Sequence, residues 1–218
     1  MQERPQFAIL KATNIRFQEF SMPKGIPLTE EEQAKRRHEI FHQVVGVFLK
    51  KGFQETSMRE IAEAAGLGKS TLYDYFKTKD DILIYFFEDQ INDLTEAAQK
   101  IALQNLPANE RLRQVTRAHL EFLQANKSLV MKLTLEAQRL KLDSQKQIQM
   151  SRHAYQDLLR GLIEEGIREG VFRKVDPLLA ARMLLNTMAP VVFTSRPTGT
   201  PQEMMEETMD IFLKGLQA

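Results

Sequence analysis

Apolar residues recur along this chain at intervals of three and four, the spacing of one face of an α-helix, and nothing in it reads as a strand. Thr29 opens "TEEE", a capping box closed by Glu32, and the helix it starts carries Ile40, Phe41, Val44, Val45 and Phe48 as a stripe that needs something to pack against. Gly52 stops that helix. Ser57 opens a second box, "SMRE", closed by Glu60, with Ile61, Ala62 and Ala65 facing inward and Gly66 at the end. Gly68 then turns the chain into "KSTLYDYF", whose Leu72 and Phe76 sit four apart and form the buried side. Thr78 caps a long helix running to about Leu103. Further helices are expected over about 109–126, 127–142 and 144–170, then from Asp176 with Pro177 at the first helical position, and last from Pro201 after the loop "SRPTGT". Residues 1–28 show no clear period and are interrupted by Pro5, Pro23, Gly25 and Pro27. They read as an extended or disordered arm with one short helix near 7–20. The pattern predicts an all-α chain of about nine helices, with an N-terminal helix-turn-helix unit of three helices over 29–80 and a helical bundle over 81–218.

Composition narrows the class. At 218 residues the chain can bury a core without covalent staples. There is no cysteine, which excludes disulfides, cysteine–zinc sites and thiol catalysis and suits a reducing cytosol, so a cytoplasmic location is expected. No apolar run approaches the ~20 residues that span a bilayer, and the N-terminus lacks the apolar centre of a signal peptide. The net charge is only +1, but it is unevenly placed: residues 34–80 hold nine Lys and Arg against six Asp and Glu, and residues 81–218 hold 17 against 18. A mildly basic first unit on a near-neutral remainder points to a polyanionic partner for the first unit alone. The arm, with four Lys and Arg against two acids, leaves two readings open: a reach along DNA, or residues upstream of the true start.

Two helices joined by a tight glycine turn form a helix-turn-helix, whose second helix enters the major groove with its N-terminal residues toward the bases. That accounts for the small side chains of Gly68, Ser70 and Thr71, which let the backbone come close, and for Lys69, which reaches a base or a phosphate. Tyr73 and Tyr75 offer hydroxyls to phosphates while their rings brace the helix. Lys77 and Lys79 stand near the start of the fourth helix, where a cation opposes the helix dipole unless an anion lies nearby; phosphate oxygens would supply it. A helix–glycine–helix corner alone occurs in many helical proteins, so the residues around it decide the reading.

The stretch from Ile40 to Leu83, "IFHQVVGVFLKKGFQETSMREIAEAAGLGKSTLYDYFKTKDDIL", resembles the TetR family of bacterial one-component transcriptional regulators. The family's pattern is met in order by Phe48, Gly52 and Phe53, then Thr56 and Ser57, then Ile61, Ala62, Ala65 and Gly66, then Leu72, Tyr73 and Phe76, then Lys79 and Asp80. The departures are Val44, where Ala is usual, and Tyr75, where His is common. The resemblance implies that the first three helices bind DNA, the remaining helices bind an effector, and the last two pair into a homodimer. It implies phosphate-side contacts from Thr56, Ser57, Tyr73, Tyr75 and Lys79 and base-side contacts from Lys69, Ser70 and Thr71, with Arg59 and Lys77 as additions that read equally as solvated charges.

Beyond residue 81 no specific motif appears. The final two helices are apolar and rich in methionine, and Met188, Val192, Met205, Met209 and Phe212 are candidate contacts with a second copy. A pocket between the fourth and eighth helices is expected, with Phe87, Phe122, Met131, Tyr155 and Met183 as an apolar, adaptable lining, though each also reads as ordinary core. Few charges there favour a hydrophobic effector. Enzyme chemistry finds no foothold. His38 and His42 share a helix face but have no evident third metal ligand, and His119 and His153 have no recognisable nucleophile or acid partner. "GLGKST" at 66–71 lacks the spacing of a phosphate loop and follows a helix. The expectation is a ligand-responsive homodimeric repressor on a palindromic operator, with no cofactor, no metal and no membrane partner. The alternative is a DNA-binding protein of the same fold governed by a protein partner.

Overall fold

The structure, a computed structural model, describes residues 28–217; the expected arm over 1–28 lies, save for Leu28, outside them. Among the described residues there are nine helices and no strand: α1 (Glu30–Lys51), α2 (Met58–Ala64), α3 (Lys69–Tyr75), α4 (Lys79–Ala102), α5 (Ala108–Ala125), α6 (Lys127–Ala137), α7 (Leu142–Arg168), α8 (Pro177–Phe193) and α9 (Pro201–Leu216). They fall into two compact units, with the division inside α4, between Phe86 and Phe87.

The first unit is built by short-range signals. Thr29 and Ser57 close capping boxes with Glu32 and Glu60, satisfying amides that a helix start leaves without partners. Gly52 and Gly66 take positive φ, +95° and +63°, where a side chain is strained, and so end α1 and the α2 segment. At seven residues each, α2 and α3 are too short to hold alone. They persist because Ile61 and Leu72, both fully buried, join the stripe of α1 in one core. Phe41 stacks on Phe86 at 5.2 Å, and Phe76 meets Tyr85 edge-on at 5.7 Å.

The second unit, residues 87–217, packs α7 between α5 and α8, with α9 against α5 and α8. Its charged centre is Arg111, buried, whose guanidinium donates to the Ala102 carbonyl at 2.9 Å and pairs with Glu165 at 2.8 Å. That pair holds the arginine pKa above its ordinary value and the Glu165 carboxyl below its own. The Phe172 ring lies on Gly166, where a Cβ would stand 2.3 Å from it. Phe172 and Gln217 form an isolated bridge, and the Arg173 amide donates to the Leu216 carbonyl at 2.8 Å, tying the α7–α8 loop to the end of α9.

One boundary departs from the pattern. A helix expected over about 127–142 ends at Ala137, and the next begins at Leu142. The Gln145 side-chain amide donates to the carbonyls of Gln138 and Leu140, which stabilises a turn inside a segment whose apolar spacing favours continuing the helix.

Candidate nucleic-acid interface

The corner presents one exposed polar edge. Leu72 and Phe76 anchor α3 in the core, and the opposite side carries Lys69, Ser70 and Thr71, all exposed. Gly68 precedes them with no side chain to obstruct an approach. The Lys69 ammonium lies 5.9 Å from the centre of the Tyr73 ring and makes no ion pair among the described residues, so it is available to an anion. Tyr73 and Tyr75 are half-buried. Ser57 is exposed at the start of α2, where its hydroxyl donates to Glu60 at 2.7 Å. Glu60 also accepts from the Ser57 amide and from Lys51, and these partners, Lys51 foremost, lower its carboxyl pKa to about 2.

Four other residues expected at the DNA differ in what they face. Thr56 is only 1% exposed, and its hydroxyl donates to the Gly52 carbonyl at 2.6 Å; it closes the α1–α2 turn and has no surface for a phosphate. The Lys79 ammonium donates to the carbonyls of Phe53, Gln54 and Thr56 at 2.7, 2.8 and 3.0 Å, over the Phe53 ring at 4.8 Å. An ammonium has three N–H groups, and these three carbonyls can accept one each. The Lys77 ammonium donates to the Tyr73 carbonyl near the end of α3, and Arg59 pairs with Glu63 at 2.9 Å in open solvent. The last pair is weak and can be exchanged for a phosphate.

In the second unit Phe87, Phe122 and Tyr155 are buried, as a lining or a core would be. The His119 ring meets Tyr155 edge-on at 5.2 Å; burial lowers its pKa to about 4, and its Nδ1 has no hydrogen-bond partner among the described residues. The Arg152 guanidinium lies 5.9 Å from the Phe87 ring centre, with its pKa lowered by desolvation. Sequence spacing gave no sign of these two contacts, because each joins residues more than thirty positions apart. Met131 and Met183, in contrast, are exposed, because α6 and α8 turn those positions outward. Met183 lines a groove of about 890 Å³ between α8 and α9, together with Leu179, Val191, Met204, Ile211 and Phe212. The contacts expected with a second copy shift likewise. Met188, Val192, Met205 and Met209 are buried within the chain itself, and of the expected five only Phe212 reaches the groove. Among the described residues no cluster of three His, Cys, Asp or Glu could hold a metal; the His38 and His42 rings lie 4.2 Å apart. No helix there is long and apolar enough to cross a membrane.

Residues 41–86 match the family model described as bacterial regulatory proteins, tetR family, and residues 105–216 match the one described as a tetracyclin repressor-like C-terminal domain. A fatty acid metabolism regulator protein of Bacillus subtilis is 29% identical over 157 residues, covering 72% of this chain and 81% of that protein. The crystal structure of the TetR family regulator PfmR from Thermus thermophilus is similar at 28% identity and a TM-score of 0.66, covering 82% of this chain and 99% of that one. That of the regulator FadR from Bacillus subtilis, in complex with stearoyl-CoA, is similar in fold at 24% identity and a TM-score of 0.72, covering 82% and 98%.

Proposed function

The chain belongs to the TetR family of bacterial regulatory proteins, and from that footing we propose that it is a homodimeric repressor that leaves a palindromic operator when a long-chain acyl thioester binds. The observation that carries the DNA half is the exposed edge of Lys69, Ser70 and Thr71 on a short helix pinned by Leu72 and Phe76. These three residues read base edges, while Ser57, Tyr73 and Tyr75 meet phosphates. Two copies place two such helices about 34 Å apart, one helical turn of DNA. The DNA-binding unit is residues 29–80 and the effector and dimer unit residues 81–218. A bacterial regulator of this kind works in the cytoplasm, where its DNA is.

The effector class rests on the relatives, one named for fatty acid metabolism and one holding stearoyl-CoA. The buried apolar set Phe87, Phe122 and Tyr155 suits an acyl chain. The ligand shifts the dimer between two shapes only through its different affinity for them, with α4, which runs on from the DNA unit, as the lever. The test is fluorescence anisotropy on a duplex from upstream of the protein's own gene, with and without stearoyl-CoA. Binding that falls on addition of the thioester supports the reading, and binding indifferent to it sinks the effector half. Lys69→Ala is expected to weaken operator binding about tenfold, the size of one lost base contact; unchanged affinity removes Lys69 from the reading set.

A further inference from the structure

We propose that the corner between α6 and α7 is a membrane-docking face, with which the protein adsorbs reversibly to a bilayer rich in anionic lipid. This goes beyond the DNA and effector readings, and its residues all lie in the second unit. Both helices carry a second apolar stripe that the fold leaves in solvent. On α6, Leu129 and Leu133 are buried, while Met131 and Leu135, two positions on and so about 200° round the helix, are exposed. On α7, Ile148 and Tyr155 are buried, while Leu142 and Met150, 74% and 66% exposed, share the outer side with the exposed Lys146. Gln145, bonded to the Gln138 and Leu140 carbonyls, holds the short turn that joins the two helices. Charge is segregated to the same place. Residues 127–153 hold six Lys and Arg against two acids, whereas the rest of 81–218 holds 11 against 16. Both acids stand beside a base, Glu136 at 3.3 Å from Arg139 and Asp143 at 3.8 Å from Lys146, and Lys141 has no acidic partner among the described residues. Exposed leucine and methionine among long basic side chains match a bilayer interface: the apolar groups enter the acyl boundary and the ammonium groups stay at the phosphates. A nucleic-acid backbone would use the cations and leave the apolar groups in water. A second copy docked symmetrically would set like charges against each other. Adsorption needs no helix that spans the bilayer, and neither the charge nor the apolar signal is large, so both are required.

The test is co-sedimentation of the full chain with vesicles of equal parts phosphatidylglycerol and phosphatidylcholine, and with vesicles of phosphatidylcholine alone. Protein is expected on the anionic vesicles only, and less of it as salt rises. Two double variants separate the halves of the face. Lys141→Gln with Lys146→Gln is expected to lower the partition constant about twentyfold, near fivefold for each charge. Leu142→Gln with Met150→Gln keeps every charge and is expected to lower it about tenfold. All four positions are exposed, so circular dichroism should show wild-type helix content; should either pair lose helix, its single changes replace it. Lys69→Ala, which removes a cation from the DNA edge, leaves vesicle binding as it was. Four results overturn the proposal. One is no preference for the anionic vesicles. Another is a loss with Lys69→Ala as large as that of the lysine pair, which places adsorption on the DNA edge. A third is loss with the lysine pair and none with the Leu142 and Met150 pair, which makes the corner a plain polyanion or acidic-protein site. The last is wild-type partition in both pairs. Vesicle binding is read without DNA, so failure of the wild type to bind any operator counts against the DNA reading and leaves the docking face decided by the vesicles.

Discussion

At the scale of single residues, type and spacing named the corner but not the acceptors its side chains use. Lys69, Ser70 and Thr71 are exposed as the pattern demands, because Leu72 and Phe76 leave the other side of α3 nowhere else to face. Lys77, Lys79 and Thr56 carry the chemistry of phosphate contacts, yet their partners are carbonyls fixed by the turn and the helix end. A backbone oxygen leaves no mark in a sequence, so those partners were not legible. The capping carboxylates were legible, and one of them gives a pH signature. Glu60 titrates at about 2 instead of its ordinary 4.5, so its stabilising contribution is present above about pH 4.5 and is lost as pH falls toward 2. Glu60→Gln should flatten the fall of the melting temperature across that window; an equally steep fall would mean the carboxylate contributes nothing to the fold.

At the scale of elements, starts and stops were read well where a local rule governs them. The boxes at Thr29 and Ser57 and the Asp176–Pro177 start all stand, and the same rule, applied to Thr200 and Glu203, finds the box that opens α9. The α6–α7 boundary was misplaced because a side-chain bond from Gln145 overrides a spacing that favours helix. Gly166 shows a further limit. Within a helix it looks dispensable, and exchanging it for Ala would by propensity gain about 1 kcal/mol. In the fold its missing Cβ is the seat of the Phe172 ring, so Gly166→Ala should instead cost roughly 1–2 kcal/mol, read as a lower denaturant midpoint. Combining it with Phe172→Leu should destabilise by less than the sum of the two changes; strict additivity would show that the ring is free to move away.

At the scale of the whole molecule, the all-α class and the order of helices followed from periodicity together with the caps and stops, whereas the assignment of apolar residues to inside or outside did not. Four of the five residues expected to meet a second copy already have their partners within the chain. A methionine-rich helix offers apolar side chains on several faces, and only packing decides which face is left over. What remains exposed is Leu179, Met183 and Ile211 along the α8–α9 groove. If two copies pair there, Ile211→Glu should convert dimer to monomer in sedimentation with helix content intact, since the site is 68% exposed in one chain and tolerates a charge. A dimer that survives the change places the interface elsewhere.

Arg111 closes the last turn of α4 by taking the Ala102 carbonyl, and Lys79 grips the first turn at the opposite tip. A rod pinned at both tips can bow or twist, but it cannot slide. A push on α4 between its two held ends would therefore be answered by bending or twisting along its 24 residues, not by a shift along its axis. If an acyl chain is the effector, as proposed, chains of different length would differ in where they press on α4 as well as in how tightly they are held, so tightness alone would not rank them as inducers.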